Sequence, residues 1–216
     1  MTWRAYQIKG DASHLVDRSY DIDFLRWPGS EHVPLWSKDA LSLPPPPLAF
    51  VANFPAVRES DFPVTASPRP LQMSKRMLGV LLDAGQFDHR AHPVVLLDDV
   101  EIGKVPWNEP HLTLRKLLPK SAIDDERFVF VQLTSYVDGF DWEKSIFEPD
   151  DEAPGEVTSI TRLVLRDVPF PPLFRLSAYP YRVFASPAGR EAVIRAGLRG
   201  VVFNPYWLGW QRPDGE

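Results

Sequence analysis

An α+β domain with a mostly antiparallel sheet is the architecture this chain encodes, and three observations carry it. Short runs rich in valine, isoleucine and aromatics recur along the sequence, bounded by proline, glycine and aspartate. Only two segments combine an apolar helical stripe with capping residues at both ends. No regular strand–helix–strand alternation connects them, which argues against a doubly wound parallel sheet. The 216 residues suffice for one continuous domain.

Trp3 to Lys9 alternates bulky and polar residues and reads as a strand. Residues 10–42 show no clear period. Pro44 to Pro47 form a polyproline II segment, read first as a stiff connector and second as a ligand for a proline-binding domain. Residues 50–70 carry four more prolines and are expected to wrap the surface. Ser74 to Ala84 is the first helix. Ser74 is placed to cap its free amides, Met77, Leu78, Leu81 and Leu82 form the apolar stripe, and Gly85 is placed for a left-handed end. Val94 to Leu97 reads as a buried strand, with His92-Pro93 as the loop entering it. Leu112 to Leu118 reads as a short helix stopped before Pro119.

Phe128 to Leu133 is the strongest strand signal. Val157 to Val168 reads as another, and Leu173–Leu176 and Tyr181–Phe184 as two short ones split by Pro180. Ser186 to Ala196 is the second helix, with proline at its first position, where no donor is lost. Residues 200–203 read as a final strand, followed by the aromatic tail Tyr206-Trp207-Leu208-Gly209-Trp210. The expected core includes Phe128, Phe130, Leu163, Leu165, Val193 and Phe203. Both helices begin at a serine and end in Ala-Gly, which raises a weak duplication against the simpler reading that any capped three-turn helix looks alike.

Composition narrows the function classes. The 23 prolines against 12 glycines imply ordered loops rather than a flexible chain. With no cysteine, disulfides, thiolate catalysis and cysteine-ligated zinc are excluded. No apolar run reaches the ~18 residues of a membrane span, and the first residues lack a signal-peptide core, so a cytoplasmic location is expected. A net charge of −5 speaks against nucleic-acid binding and suits either solubility alone or a basic partner.

No nucleophile elbow, phosphate-binding glycine loop or paired-histidine zinc motif is present. His89 and His92 would share one face only on a helix, which Pro93 disfavours, so no metal or other cofactor is expected. Asp138 and Asp141 could be a carboxylate pair for acid–base chemistry. The plainer reading is a turn at Asp138-Gly139, with the Asp141 side chain accepting from nearby amides. Asp150, Asp151, Glu152 and Glu156 form an acidic patch, read as a solvated loop or as a contact for a basic surface. The tryptophans at 27, 36, 107, 142, 207 and 210 fall in loop-like stretches, where burial in a proline-rich shell is the expected fate.

These segments together resemble a family of bacterial immunity proteins, the immunity protein eleven type. The resemblance rests on Ser74-Lys75-Arg76 followed by Leu81 and Gly85. It continues through Val137-Asp138-Gly139-Phe140-Asp141 with Lys144-Ser145. It ends with Phe174-Arg175-Leu176, Ser186, and Gly197-Leu198-Arg199-Gly200-Val201-Val202-Phe203. The agreement covers residues 70–204. Residues 1–69 match only through the opening strand, so the chain divides into a proline-rich first part, 1–69, packed on an immunity-like core, 70–216. The Pro44–Pro47 run and the Asp138-Gly139 pair depart from the family pattern. The resemblance implies a protein that neutralises a cognate toxin and implies no catalytic residue.

The expectation is therefore a binder of a protein toxin with a basic surface, without membrane or nucleic-acid partners. Its contacts are placed at Trp142, Asp150, Asp151, Glu152 and Glu156, with Trp207 and Trp210 as the second choice. The alternatives are a small-molecule enzyme using Asp138 and Asp141, and a non-catalytic scaffold reading its partner through Pro44–Pro47.

Overall fold

The computed structural model describes residues 5–13, 15, 20–24, 48–65, 71–102 and 127–204. The strands are β1 (Tyr6–Gly10), β2 (Ile22–Phe24), β3 (Leu48–Ala52), β4 (Gln72–Ser74), β5 (His89–Asp98), β6 (Phe128–Leu133), β7 (Ile146–Pro149), β8 (Val157–Arg162), β9 (Leu173–Phe174), β10 (Phe184–Ala185) and β11 (Val201–Asn204). The helices are α1 (Phe54–Arg58), α2 (Lys75–Ala84), α3 (Asp99–Ile102) and α4 (Pro187–Arg195). This is an α+β fold. All strand pairs but one are antiparallel, the exception being β3 with β5.

Two sheets face each other. One has the order β11-β1-β10-β9 and the other β2-β3-β5-β6-β4. Residues before Pro70 thus supply a central strand to the first sheet and two strands to the second. Between the sheets, Ile8, Leu173 and Val183 meet Leu71, Met73, Val129, Val131 and Leu133, with Met77 and Leu81 of α2 and Val193 of α4 closing the side. The even-numbered residues of β6 point the other way, where Phe128 and Phe130 join Ile22, Leu48, Phe50, Val94 and Leu96. With both faces covered, all six residues of β6 are buried, which is why its sequence is a continuous apolar run rather than an alternation.

The helix ends follow from their caps. The Ser74 hydroxyl accepts from the Met77 amide at 3.0 Å, and Ser186 does the same for Gly189 at 3.3 Å. After α4, Gly197 takes φ 61°, and the Gly197 and Leu198 amides donate back to Ile194 and Val193. That is a Schellman end, and Leu198 packs on the same core as Val193. The helix α2 ends differently from expectation. Gly85 adopts φ 156° and ψ 160°, a positive-φ conformation that glycine favours but not the left-handed helical one, and a Cβ there would touch the Pro172 ring.

Other expectations need correction. His92-Pro93 is not a loop: β5 runs through it and changes partner there, pairing with β6 up to Pro93 and with β3 from Val94. Proline is tolerated in this strand because the ladder hands over at that residue. The strand expected over residues 157–168 stops at Arg162, and Leu165 makes only an isolated bridge to Phe140. Of the six expected core residues, Phe128, Phe130, Leu163 and Val193 are buried, while Leu165 and Phe203 are half-buried against the two clusters. Pro44–Pro47 and Leu112–Leu118 lie outside the described residues.

Candidate functional site

Two of the large apolar residues exposed among the described ones, Trp142 and Ile146, lie with the acidic patch on the β7–β8 hairpin and the turn leading into it; the others, such as Val100 and Ile194, lie elsewhere. The turn is built by Asp141. Its Oδ1 accepts from the amides of Glu143 at 3.2 Å and Lys144 at 3.0 Å, its carbonyl accepts from Ser145 N, and its Oδ2 lies 3.2 Å from Lys144 Nζ. Burial opposes ionisation of this carboxyl, but the Lys144 amide and ammonium and the Glu143 amide outweigh it and hold the group below its usual range. Asp138 is exposed and paired with Arg166 at 2.6 Å. Both aspartates are thus engaged in local structure. The expected turn at Asp138-Gly139 is absent. The chain passes straight through, and a Cβ at Gly139 would sit 2.7 Å from the Phe170 ring, which would have to shift to admit it.

Ser145 fixes the hairpin to the body. Its hydroxyl donates to Val164 O at 3.2 Å and accepts from Val164 N at 3.0 Å. Phe147 and Ile160 turn inward onto a cluster of Phe140, Leu163, Phe174 and Phe184. Ile146 points outward and is 50% exposed. Trp142 stands edge-on to Phe140 and Phe147, at 4.8 and 5.2 Å between ring centres, yet remains 43% exposed. The expected burial of this tryptophan does not hold. Two rigid neighbours fix its orientation and leave one side of the indole to solvent.

The acidic residues form the hairpin tip. Asp150 Oδ1 accepts from the amides of Glu152 at 2.9 Å and Ala153 at 3.1 Å, and Gly155 turns the chain with φ 88°. The Tyr181 hydroxyl donates to Asp150 Oδ2 at 3.4 Å. Burial, then the charges of Glu156 and Asp150, push the Tyr181 phenol above its usual range, so it stays a donor. Asp150 and Glu156 are half-buried in this arrangement, whereas Asp151 and Glu152 are exposed. Of the residues expected to bind a partner, Trp142 lies at the hairpin base and the four acids at its tip. The four residues of β7 separate them, roughly 13 Å. Trp207 and Trp210 lie outside the described residues.

The sequence reading missed three contributors. Ile146 sits outward in a strand whose alternation could have flagged it. Glu143 and Glu148 extend the charge. Between residues 138 and 156 stand eight carboxylates (Asp138, Asp141, Glu143, Glu148, Asp150, Asp151, Glu152, Glu156) and one ammonium, Lys144. The whole chain nets −5, so everything outside this stretch is on balance weakly positive. Among the described residues, Glu143, Glu148, Asp151 and Glu152 make no ion pair.

His89 and His92 are on opposite faces of β5, one bonded to Phe87 O at 3.0 Å and the other to Gln132 at 3.3 Å, so they cannot share a ligand. No described helix is long and apolar enough to cross a membrane. No protein-family model matches the chain, and no curated protein matches it.

Proposed function

We propose that the chain is a binding protein that blocks a protein toxin with a basic surface, using the β7–β8 hairpin as its docking element. The observation that carries this reading is that the β7–β8 hairpin and the turn leading into it present carboxylates without an ion pair at one end and a fixed, half-exposed tryptophan at the other, with Ile146 also exposed. Carboxylates without cations steer a basic partner toward encounter. An aromatic held by its neighbours loses little entropy on docking, which is the property of an interface anchor. The engagement of Asp138 and Asp141 by local partners favours binding over acid–base chemistry at this site. The resemblance of residues 70–204 to immunity proteins of the eleven type supplies the class of partner, a toxin encoded by the adjacent gene.

Asp151 and Glu152 are the residues to test, because Asp150 builds the loop and its loss would confound binding with folding. Reversing Asp151 and Glu152 to lysine should slow association with the neighbouring gene's product and flatten its salt dependence. Trp142→Ala should weaken binding by about 2 kcal/mol or more. Association measured by surface plasmon resonance that is indifferent to all three changes would place the binding face elsewhere.

A further inference from the structure

On another part of the surface, α2 and α4 lie side by side with a groove of about 410 Å³ between them. They are antiparallel: Arg76, in the first turn of α2, donates through Nη2 to the carbonyl of Ala196 just beyond α4, at 2.5 Å. The floor of the groove is Val80 and Ala84 from α2 and Ala188, Ala192 and Ala196 from α4. The alanines recur every four residues and so share one helix face. Their small side chains let another backbone approach closely.

The walls carry charge, and the signs are separated along the groove. Arg195 lines it at the end where Arg76 meets Ala196, Asp83 lines it toward the opposite end, and Glu191 stands between them, one turn from Arg195. Among the described residues, Asp83, Glu191 and Arg195 make no ion pair. This holds although Glu191 and Arg195 have the i, i+4 spacing and polarity that favour one. A groove that is basic at one end and acidic at the other is complementary to itself after a half-turn.

We propose that this groove is a dimer interface in which a second copy of the chain packs antiparallel about a two-fold axis, Arg195 of each copy facing Asp83 and Glu191 of the other. Each residue contact then occurs twice, as an isologous interface requires. The two helices span only about 15 Å each, so the buried area falls short of the roughly 800 Å² per partner of a standard interface. The dimer is accordingly weak, with a dissociation constant in the micromolar range or above, and sensitive to salt.

Sedimentation velocity on the full chain tests this. The parent should pass from monomer to dimer as concentration rises, and revert with added salt. Arg195→Glu makes both ends acidic and should weaken self-association at least tenfold. The double change Asp83→Arg and Glu191→Arg makes both ends basic and should do the same. An equimolar mixture of the two variants should recover association at least as tight as the parent's. Because the changed side chains make no ion pair in the chain, circular dichroism should report unaltered folding. A parent that stays monomeric at every concentration, a dimer indifferent to Arg195→Glu, or a mixture that fails to associate would each overturn the proposal.

Discussion

Asp61 is buried at 3% exposure and receives the Ser74 hydroxyl at 2.7 Å and the Arg199 amide at 3.0 Å, with Arg76 and Arg127 each 3.8 Å away. One carboxylate thereby joins the loop after α1, the cap of α2, the entry to β6 and the entry to β11. Asp61→Ala should cost about 3 kcal/mol in urea unfolding, since it leaves a buried hydroxyl and a part-buried amide without an acceptor. Asp61→Asn, which keeps an acceptor, should cost less. His92 gives a second residue-level test. Burial first, then Arg90, lower its pKa from 6.5, against the opposing bond to Gln132. The unfolded chain therefore takes up this proton before the folded one. The associated stability is fully present above pH 6.5 and is lost as pH falls through the folded pKa. Urea midpoints at pH 7.5 and 5.5 should differ less for His92→Gln than for the parent, and equal differences would refute this account. Neither residue was singled out as structural in the sequence, because Asp61 gains its meaning from partners at 74, 127 and 199 that only the fold brings together.

The two long helices and β6 were legible because their signals are local: a serine cap, an apolar stripe, a run of apolar residues. The limits of such reading show at β5, where Pro93 looks like a strand boundary and is instead the point at which the strand exchanges one neighbour for another. They show again at the glycines. Gly189 lies in the first turn of α4, and a Cβ there would sit 2.1 Å from the carbonyl oxygen of Pro172. That oxygen already accepts from the Ser186 amide, so the loop before β9 is pressed onto the helix start. Gly189→Ala should therefore destabilise by at least about 1–3 kcal/mol, the usual range for overpacking, although alanine is the better helix former. A thermal melt in which this variant gains stability would mean that the loop yields freely. The hairpin was half legible. Its acids were visible as composition, but the outward placement of Trp142 and Ile146 depends on which face Phe147 and Ile160 bury.

At the scale of the whole molecule, the sequence supports an α+β class but not the pairing of its ends. The strand β1 lies between β10 and β11, with Gln7 opposite both Phe184 and Asn204. Contacts so distant in sequence are the slow kind to form, because the intervening chain must be ordered first. During synthesis this imposes a waiting time. The first strand leaves the ribosome long before its neighbours exist, and at about 5–20 residues per second the delay is on the order of ten seconds or more. Throughout that interval Ile8, which ends buried between the sheets, has no partner from β10 or β11. A chain stopped at Val183 never receives either strand. It should be recovered in the insoluble fraction to a greater extent than the 216-residue chain; a soluble, cooperatively melting truncation would show that β1 can dispense with its neighbours. Translation through Asn204 thus acts as a check on the fold, since only a chain that already carries β10 and β11 can close the sheet around β1.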